Sequence, residues 1–170
     1  ILLAVIIGIS QGTQPIVGFN YGAEKYDRVI SVYKLAILCN LVVSFIGFIA
    51  FQFFPNQIIS IFGSGDALYY EFAVKFMRTF LFMVVLNGVQ LISSNFFAAI
   101  GKPIKGLILS MTRQVIFLIP LIIILPLFFG LNGILFAAPV ADFIAFITTT
   151  AVVSKELKII KNKEIKLSTN

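Results

Sequence analysis

The chain has 170 residues, 59% of them hydrophobic and 12% charged, with a mean hydropathy of +1.04. A water-soluble domain carries about 25% charged residues, so an ordinary soluble globule is excluded. The net charge of +6 comes with no histidine and a single cysteine, Cys39, which excludes a disulfide framework and a His/Cys metal site.

A helix that crosses a bilayer needs about 20 predominantly apolar residues, and five segments meet that length. The first covers residues 1–19 and is interrupted by Gln11, Gln14 and Pro15. It opens on Ile1 inside an apolar stretch, with neither a basic n-region nor a small-residue cleavage site before it, so the chain reads as a fragment whose N-terminus lies upstream. Gly8 with Gly12, and Gly18 with Gly22, form small-xxx-small pairs that favour close helix approach. The second span covers 35–54 and contains Cys39, expected to pack as a small hydrophobe. A connection follows in which 56–62 suits a short interfacial helix, ended by Gly63, Ser64 and Gly65, with Asp66 placed to cap the next helix.

The third span, 79–100, carries a polar stripe of Thr79, Met83, Asn87, Gln90 and Ser94, with Asn95 beside it. Lipid offers such groups no partners, so the stripe turns toward a bundle interior or a cavity. Neutral amides with Met and aromatic neighbours suit amphipathic small-molecule ligands; the other reading is helix-to-helix hydrogen bonding, worth about 0.6 kcal/mol per contact. Asn87, Gln90, Ser94, Met83, Gln11 and Gln14 are the cavity candidates. Lys75 and Arg78 precede this span, where Arg78 either snorkels to headgroups or faces a water-filled cavity.

The fourth span, 107–129, begins with Arg113 and Gln114, and Pro120 and Pro126 are expected to bend it. Arg113, with Arg78 an interface or gating candidate, either snorkels or pairs with a carboxylate from another helix; Asp142 reads as too deep to be that partner. The fifth span, 133–153, holds Asp142, the one acid deep within any span, with Ala138, Ala145 and Thr149 on its face and a kink expected at Pro139. Asp142 is the candidate for proton or cation coupling, the alternative being an interhelical hydrogen bond. Residues 1–153 thus form the membrane region. Residues 154–170 form a tail with Lys155, Lys158, Lys161, Lys163 and Lys166, better suited to the cytoplasmic side and anionic lipid than to nucleic acid.

Continuously apolar runs without period-two alternation imply an all-α transmembrane bundle, not a barrel. Positive charge alternates between connections, which puts 21–34, 101–106 and 154–170 in the cytoplasm. No phosphate-binding loop, dinucleotide fingerprint or Ser-His-Asp set appears, and nothing is arranged for covalent chemistry, so the chain does not read as an enzyme.

The stretch from Gly12 to Arg28 (GTQPIVGFNYGAEKYDR) resembles the eighth helix and following loop of multidrug and toxic compound extrusion (MATE) transporters. Residues 97–103 (FFAAIGK followed by Pro103), the Arg113–Gln114 pair with its apolar run to Pro126, residues 129–133 (FGLNG) and 138–142 (APVAD) are similar too, in the order and spacing of the bacterial MepA-like branch. The resemblance implies a twelve-helix protein of two six-helix lobes in the bacterial inner (plasma) membrane. This chain would then be most of the C-terminal lobe, partnered by a missing N-terminal lobe. It also implies export of amphipathic, often cationic compounds in exchange for H+ or Na+, with no cofactor, by rocking between inward-open and outward-open states. The family's tenth-helix acid has no carboxylate counterpart in the third span, where Asn87 and Gln90 stand. A lipid-linked sugar flippase of the same superfamily would need a cationic cluster, for which only Arg78 and Arg113 are near enough. A non-transporting scaffold would leave the polar stripe and Asp142 unexplained.

The charge alternation predicts a sidedness. In the full-length protein without Cys39, a membrane-impermeant thiol reagent applied to intact cells reaches a cysteine introduced at Asp66 or Asn132 and not one at Lys25, Lys102 or Lys161. Labelling at position 102 from outside would overturn the orientation.

Overall fold

The computed structural model describes residues 2–62 and 66–168. They form α1 (Leu2–Gly22), α2 (Tyr26–Phe53), α3 (Pro55–Phe62), α4 (Ala67–Phe80), α5 (Val84–Ala99), α6 (Pro103–Met111), a π-helical segment (Thr112–Leu118), α7 (Ile119–Phe129) and α8 (Leu131–Ser168). α1, α2, the run 103–129 and α8 are each long and apolar enough to span a bilayer, and α4 with α5 makes a fifth span bent by 47°. α5 lies at the centre, packed against α1, α2, α6 and α8.

Polarity is distributed as lipid demands. Ser10, Asn40, Ser93, Asp142, Thr149 and Glu156 are buried, whereas Leu127 and Phe128 are more than three-quarters exposed. In hydrocarbon every polar group must find its partner inside the protein. Tyr33 and Ser93 share a 2.8 Å hydrogen bond between α2 and α5, and Asn95 Nδ2 donates to Ser10 Oγ at 2.7 Å between α5 and α1. Gly88 lets these helices close: a Cβ there would sit 1.9 Å from Asn40 Oδ1.

Several expectations change. The third span is not one helix over 79–100; it starts at Ala67 and breaks at residues 81–83, so Thr79 and Met83 leave the arc that holds Asn87, Gln90 and Ser94. Pro120 does not simply bend the fourth span. A proline ring clashes with the carbonyl four residues back, here Ile116, and that residue lies within the widened π turns of 112–118. α8 runs unbroken through Pro139 and on to Ser168, about 57 Å in all. Cys39 faces outward on α2 and is not packed inside. Gly8, Gly12 and Gly22 meet nothing within 4 Å; of the four only Gly18 approaches another helix, at Ala99 O. The short helix appears over Pro55–Phe62, and Asp66 Oδ1 accepts from the Tyr69 amide at 2.9 Å as an N-cap. The proposed stop at Gly63, Ser64 and Gly65 lies outside the described residues.

The connections gather at two ends. At one, α1 turns into α2 with Glu24 in the left-handed region (φ 56°), and α5 turns into α6 through Gly101 (φ 76°). Both turns close with a six-to-one backbone bond, Lys25 N to Asn20 O and Lys102 N to Phe97 O, the Schellman arrangement that ends a helix sharply. The α8 extension packs across both. Ile160 is fully buried in the same core as Val17, Tyr26 and Phe97, and Lys163 lies 5.6 Å above the Tyr21 ring. Glu156, 2% exposed, accepts hydrogen bonds from Lys102 and from Lys105 Nζ, the latter at 3.0 Å. At the opposite end Lys75 Nζ donates to Asn132 Oδ1 at 2.8 Å. Of the 13 Lys and Arg, all but Lys75, Arg78 and Arg113 belong to the first end or its adjoining helix turns.

Glu156 stands past the apolar stretch 133–153 of α8, among the lysines that follow it. Burial pushes its carboxyl up, but the hydrogen bonds and charges of Lys102 and Lys105 outweigh it and hold the group below the usual carboxylate range. A depressed folded-state pKa contributes stability that is complete above the unfolded value, about 4.3, and is lost as pH falls through the folded one. In the full-length protein, Glu156→Gln is expected to lower the melting temperature near neutral pH. The gap to the wild type should shrink on acidification below about pH 4. An equal gap at every pH would show that the carboxylate charge does not hold α8 down.

Candidate functional site

The arrangement with most chemistry lies midway along the bundle, between α5, the π-helical segment and α8. Arg113 stands on the π segment, ten residues past Pro103, or roughly 15 Å along its span. Asp142 stands eleven residues past Leu131, at the matching depth of α8. Arg113 Nε donates to Asp142 Oδ1, and the two side chains are 17% and 4% exposed. The expectation that Asp142 lies too deep for Arg113 is therefore wrong. A guanidinium carried on three methylenes reaches inward as easily as toward headgroups, and both residues sit at one level. The ion pair neutralises the charge of each group where an isolated one is expensive.

α8 presents Asp142 on a face of small residues: Ala138, Ala141 and Ala145 are buried, and so is Thr149, whose Oγ1 has no hydrogen-bond partner among the described residues. Small side chains bring α8 close to its neighbours and leave the carboxylate to the cation in reach.

Beside the pair lies a polar cavity of about 100 Å³, lined by Asn87, Gln90 and Ser94 of α5 with Ser110, Arg113 and Gln114 of the fourth span. Gly106 sets this spacing, since a Cβ there would fall 2.4 Å from Ser94 O. Gln90 Nε2 donates to Leu109 O at 2.7 Å, so that amide ties α5 to α6. Ser94 is 9% exposed and its hydroxyl has no partner among the described residues.

The other candidates do not join this site. Gln14 borders a gap of about 10 Å³ with Ser10, Tyr33 and Asn95, room for one water at most. Gln11 lies on the outer face of α1. Met83 caps α5 at the break. Arg78 borders an open cleft of about 500 Å³ with Asn56, Tyr70, Glu71, Lys75 and Thr79, and its carbonyl accepts from Gln52 Nε2 at 2.9 Å. Reasoning from sequence missed Ser110, offered Arg113 a carboxylate but set Asp142 aside as that partner, and gave Gln114 no role. The signal was present, because Ser110, Arg113 and Gln114 follow the three-four spacing of one helical face.

A bundle of helices with an apolar exterior, most of them long enough to cross a bilayer, with an ion pair beside a polar cavity at mid-depth, is the architecture of a multi-pass membrane protein. The MatE family model matches residues 1–124, and the chain belongs to that family. It is 24% identical over 149 residues to the multidrug export protein MepA of Staphylococcus saprophyticus, covering 88% of this chain and 32% of that protein. The MATE multidrug transporter DinF-BH superposes with a TM-score of 0.85 at 36% identity, over 91% of this chain and 34% of that one. A MATE family transporter of the MOP superfamily in its inward-facing conformation shares the fold, with a TM-score of 0.87 at 19% identity over 95% of this chain and 38% of that one. The chain thus spans about a third of the length of the relatives it matches.

Proposed function

We propose that the chain is the C-terminal lobe of a secondary active efflux transporter. It exports amphipathic, often cationic compounds from the cell in exchange for H+ or Na+. The observation that carries the reading is a charged pair beside a polar cavity at membrane depth within a MatE-family lobe. The relatives are named as multidrug exporters, which supports the substrate class. The cavity has one wall here, so transport requires the N-terminal lobe of the same protein. The Lys-rich end, with the C-terminus, lies on the cytoplasmic side of a bacterial plasma membrane, touching anionic lipid.

Asp142 is the acid available to this lobe for coupling. Glu24, Asp27, Asp66, Glu71, Glu156 and Glu164 all lie near the ends of the bundle. A proton taken by Asp142 would dissolve its charge pairing and release Arg113 toward the cavity, so ion binding and cavity shape would change together. Arg113 is already neutralised by Asp142, which weighs against a flippase that grips pyrophosphate.

Asp142→Asn retains an acceptor for Arg113 Nε but cannot release a proton. Because Arg113 is left without a counter-charge, the full-length variant is expected to insert in reduced amount, and the inserted protein to lose most of its efflux in vesicles under an imposed H+ or Na+ gradient, measured per inserted protein. Full gradient-driven efflux would place the coupling in the other lobe.

A further inference from the structure

The cavity beside the ion pair is rich in donors, and its one charged lining residue, Arg113, is already paired with Asp142. Arg113 has five N–H groups; Nε is bound to Asp142, and among the described residues no second acceptor engages the others. Asn87, Ser110 and Gln114 likewise have side chains without a partner among those residues, and the Ser94 hydroxyl, buried in the cavity wall, is unpaired too. Ser110 and Gln114 are exposed, so the cavity opens to the outside of the lobe along them. An opening lined by an unpaired amide at mid-depth does not face hydrocarbon, which would offer it nothing. On the efflux reading, it faces the space between the lobes.

The charge balance decides what such a pocket takes. A cation would meet the guanidinium. An anion would meet a guanidinium whose charge Asp142 already neutralises, and so find no net positive charge to repay its dehydration. A neutral oxygen acceptor meets several free donors and leaves the ion pair intact. The volume, about 100 Å³, is enough for a carbonyl or ester group, and otherwise holds water.

We infer that this pocket receives a neutral hydrogen-bond acceptor, a carbonyl or ester oxygen, at the polar end of an amphipathic substrate, while recognition of the substrate's positive charge falls to other surfaces. The inference rests on the efflux reading for the identity of its ligand. It explains why a polar stripe opposite Arg113 contains amides and hydroxyls and no acid. The acceptor displaces waters from donors that the protein itself leaves unmatched, and specificity follows because an analogue lacking the oxygen leaves those donors unpaired.

The test uses the purified full-length transporter and two lipophilic cationic dyes identical except that one ends in an ethyl ester and the other in an alkyl chain of equal length. Equilibrium binding is read by fluorescence polarisation. The wild type is expected to bind the ester dye about tenfold more tightly than the alkyl dye. Gln114→Leu is expected to remove most of that difference by weakening the ester dye alone. Ser110→Ala, which deletes one exposed lining hydroxyl with little change in packing, should reduce the difference by a smaller factor and serves if the leucine variant fails to fold. Equal wild-type affinity for the two dyes, or equal weakening of both by either variant, would overturn the inference and leave a cavity that holds water only. Absence of binding of either dye would overturn it too. If the ester preference is present but neither dye is moved in vesicles, the pocket stands and the efflux reading falls.

Discussion

Hydrocarbon offers no hydrogen-bond partner, and the bundle is organised around that constraint. Every polar side chain in a span must be matched by another within the protein or face a hydrated space. α8 gathers its buried groups along one line, in which both acids are matched and only the Thr149 hydroxyl lacks a partner among the described residues. Leu135, Ala138, Asp142, Ala145, Thr149, Val153, Glu156 and Ile160 follow a three-four spacing and are all buried. Its two buried acids each meet a cation from the run that starts at residue 102: Arg113 in mid-membrane, Lys102 and Lys105 at the end. α8 and that run are thus joined by charge at two levels. Alanines around the inner level keep the helices close enough for the short Asp142 side chain to be reached.

The irregular backbone falls beside the cavity. α4 and α5 break at residues 81–83, which sends the α4 half of the span away from the stripe. The π-helical segment opens opposite the stripe, just before Pro120. Widened turns rotate the residues that follow and accommodate the proline ring. They also carry Arg113 and Gln114. A regular helix across 103–129 would set Arg113 at a different angle to Asp142. The proline and the ion pair therefore act on one stretch of chain, and the shape of the cavity depends on both.

Much of this was legible in the sequence. Five apolar runs, the short helix before Asp66, the inward turn of Asn87, Gln90 and Ser94, and the small-residue face around Asp142 all follow from length and periodicity. The failures have physical causes. Lysines after Val153 suggest a tail, yet the buried spacing of α8 continues through Glu156 to Ile160, and a helix follows its buried face. Arg113 was judged by its distance along the chain from the membrane surface, while the actual determinant is the level it shares with Asp142 on the neighbouring helix. The glycine pairs of α1 have the spacing of a packing motif but mostly face outward, and the closest approaches occur at Gly88, Gly106 and Gly133, where another helix happens to lie. Spacing alone does not say which face has a neighbour.

The central claim is that Arg113 and Asp142 pair across the spans and that the interior of the lobe depends on this pairing. Charge exchange tests it most directly. Full-length Arg113→Asp, Asp142→Arg and the combined exchange would be compared for the amount of folded, monodisperse protein recovered from membranes. Each single change places two like charges at mid-depth and is expected to deplete folded protein severely, since an uncompensated buried charge costs about 3–5 kcal/mol. The exchange restores opposite charges and should recover most of the wild-type amount. Single variants recovered at wild-type levels, or an exchange no better than the worse single variant, would contradict the account.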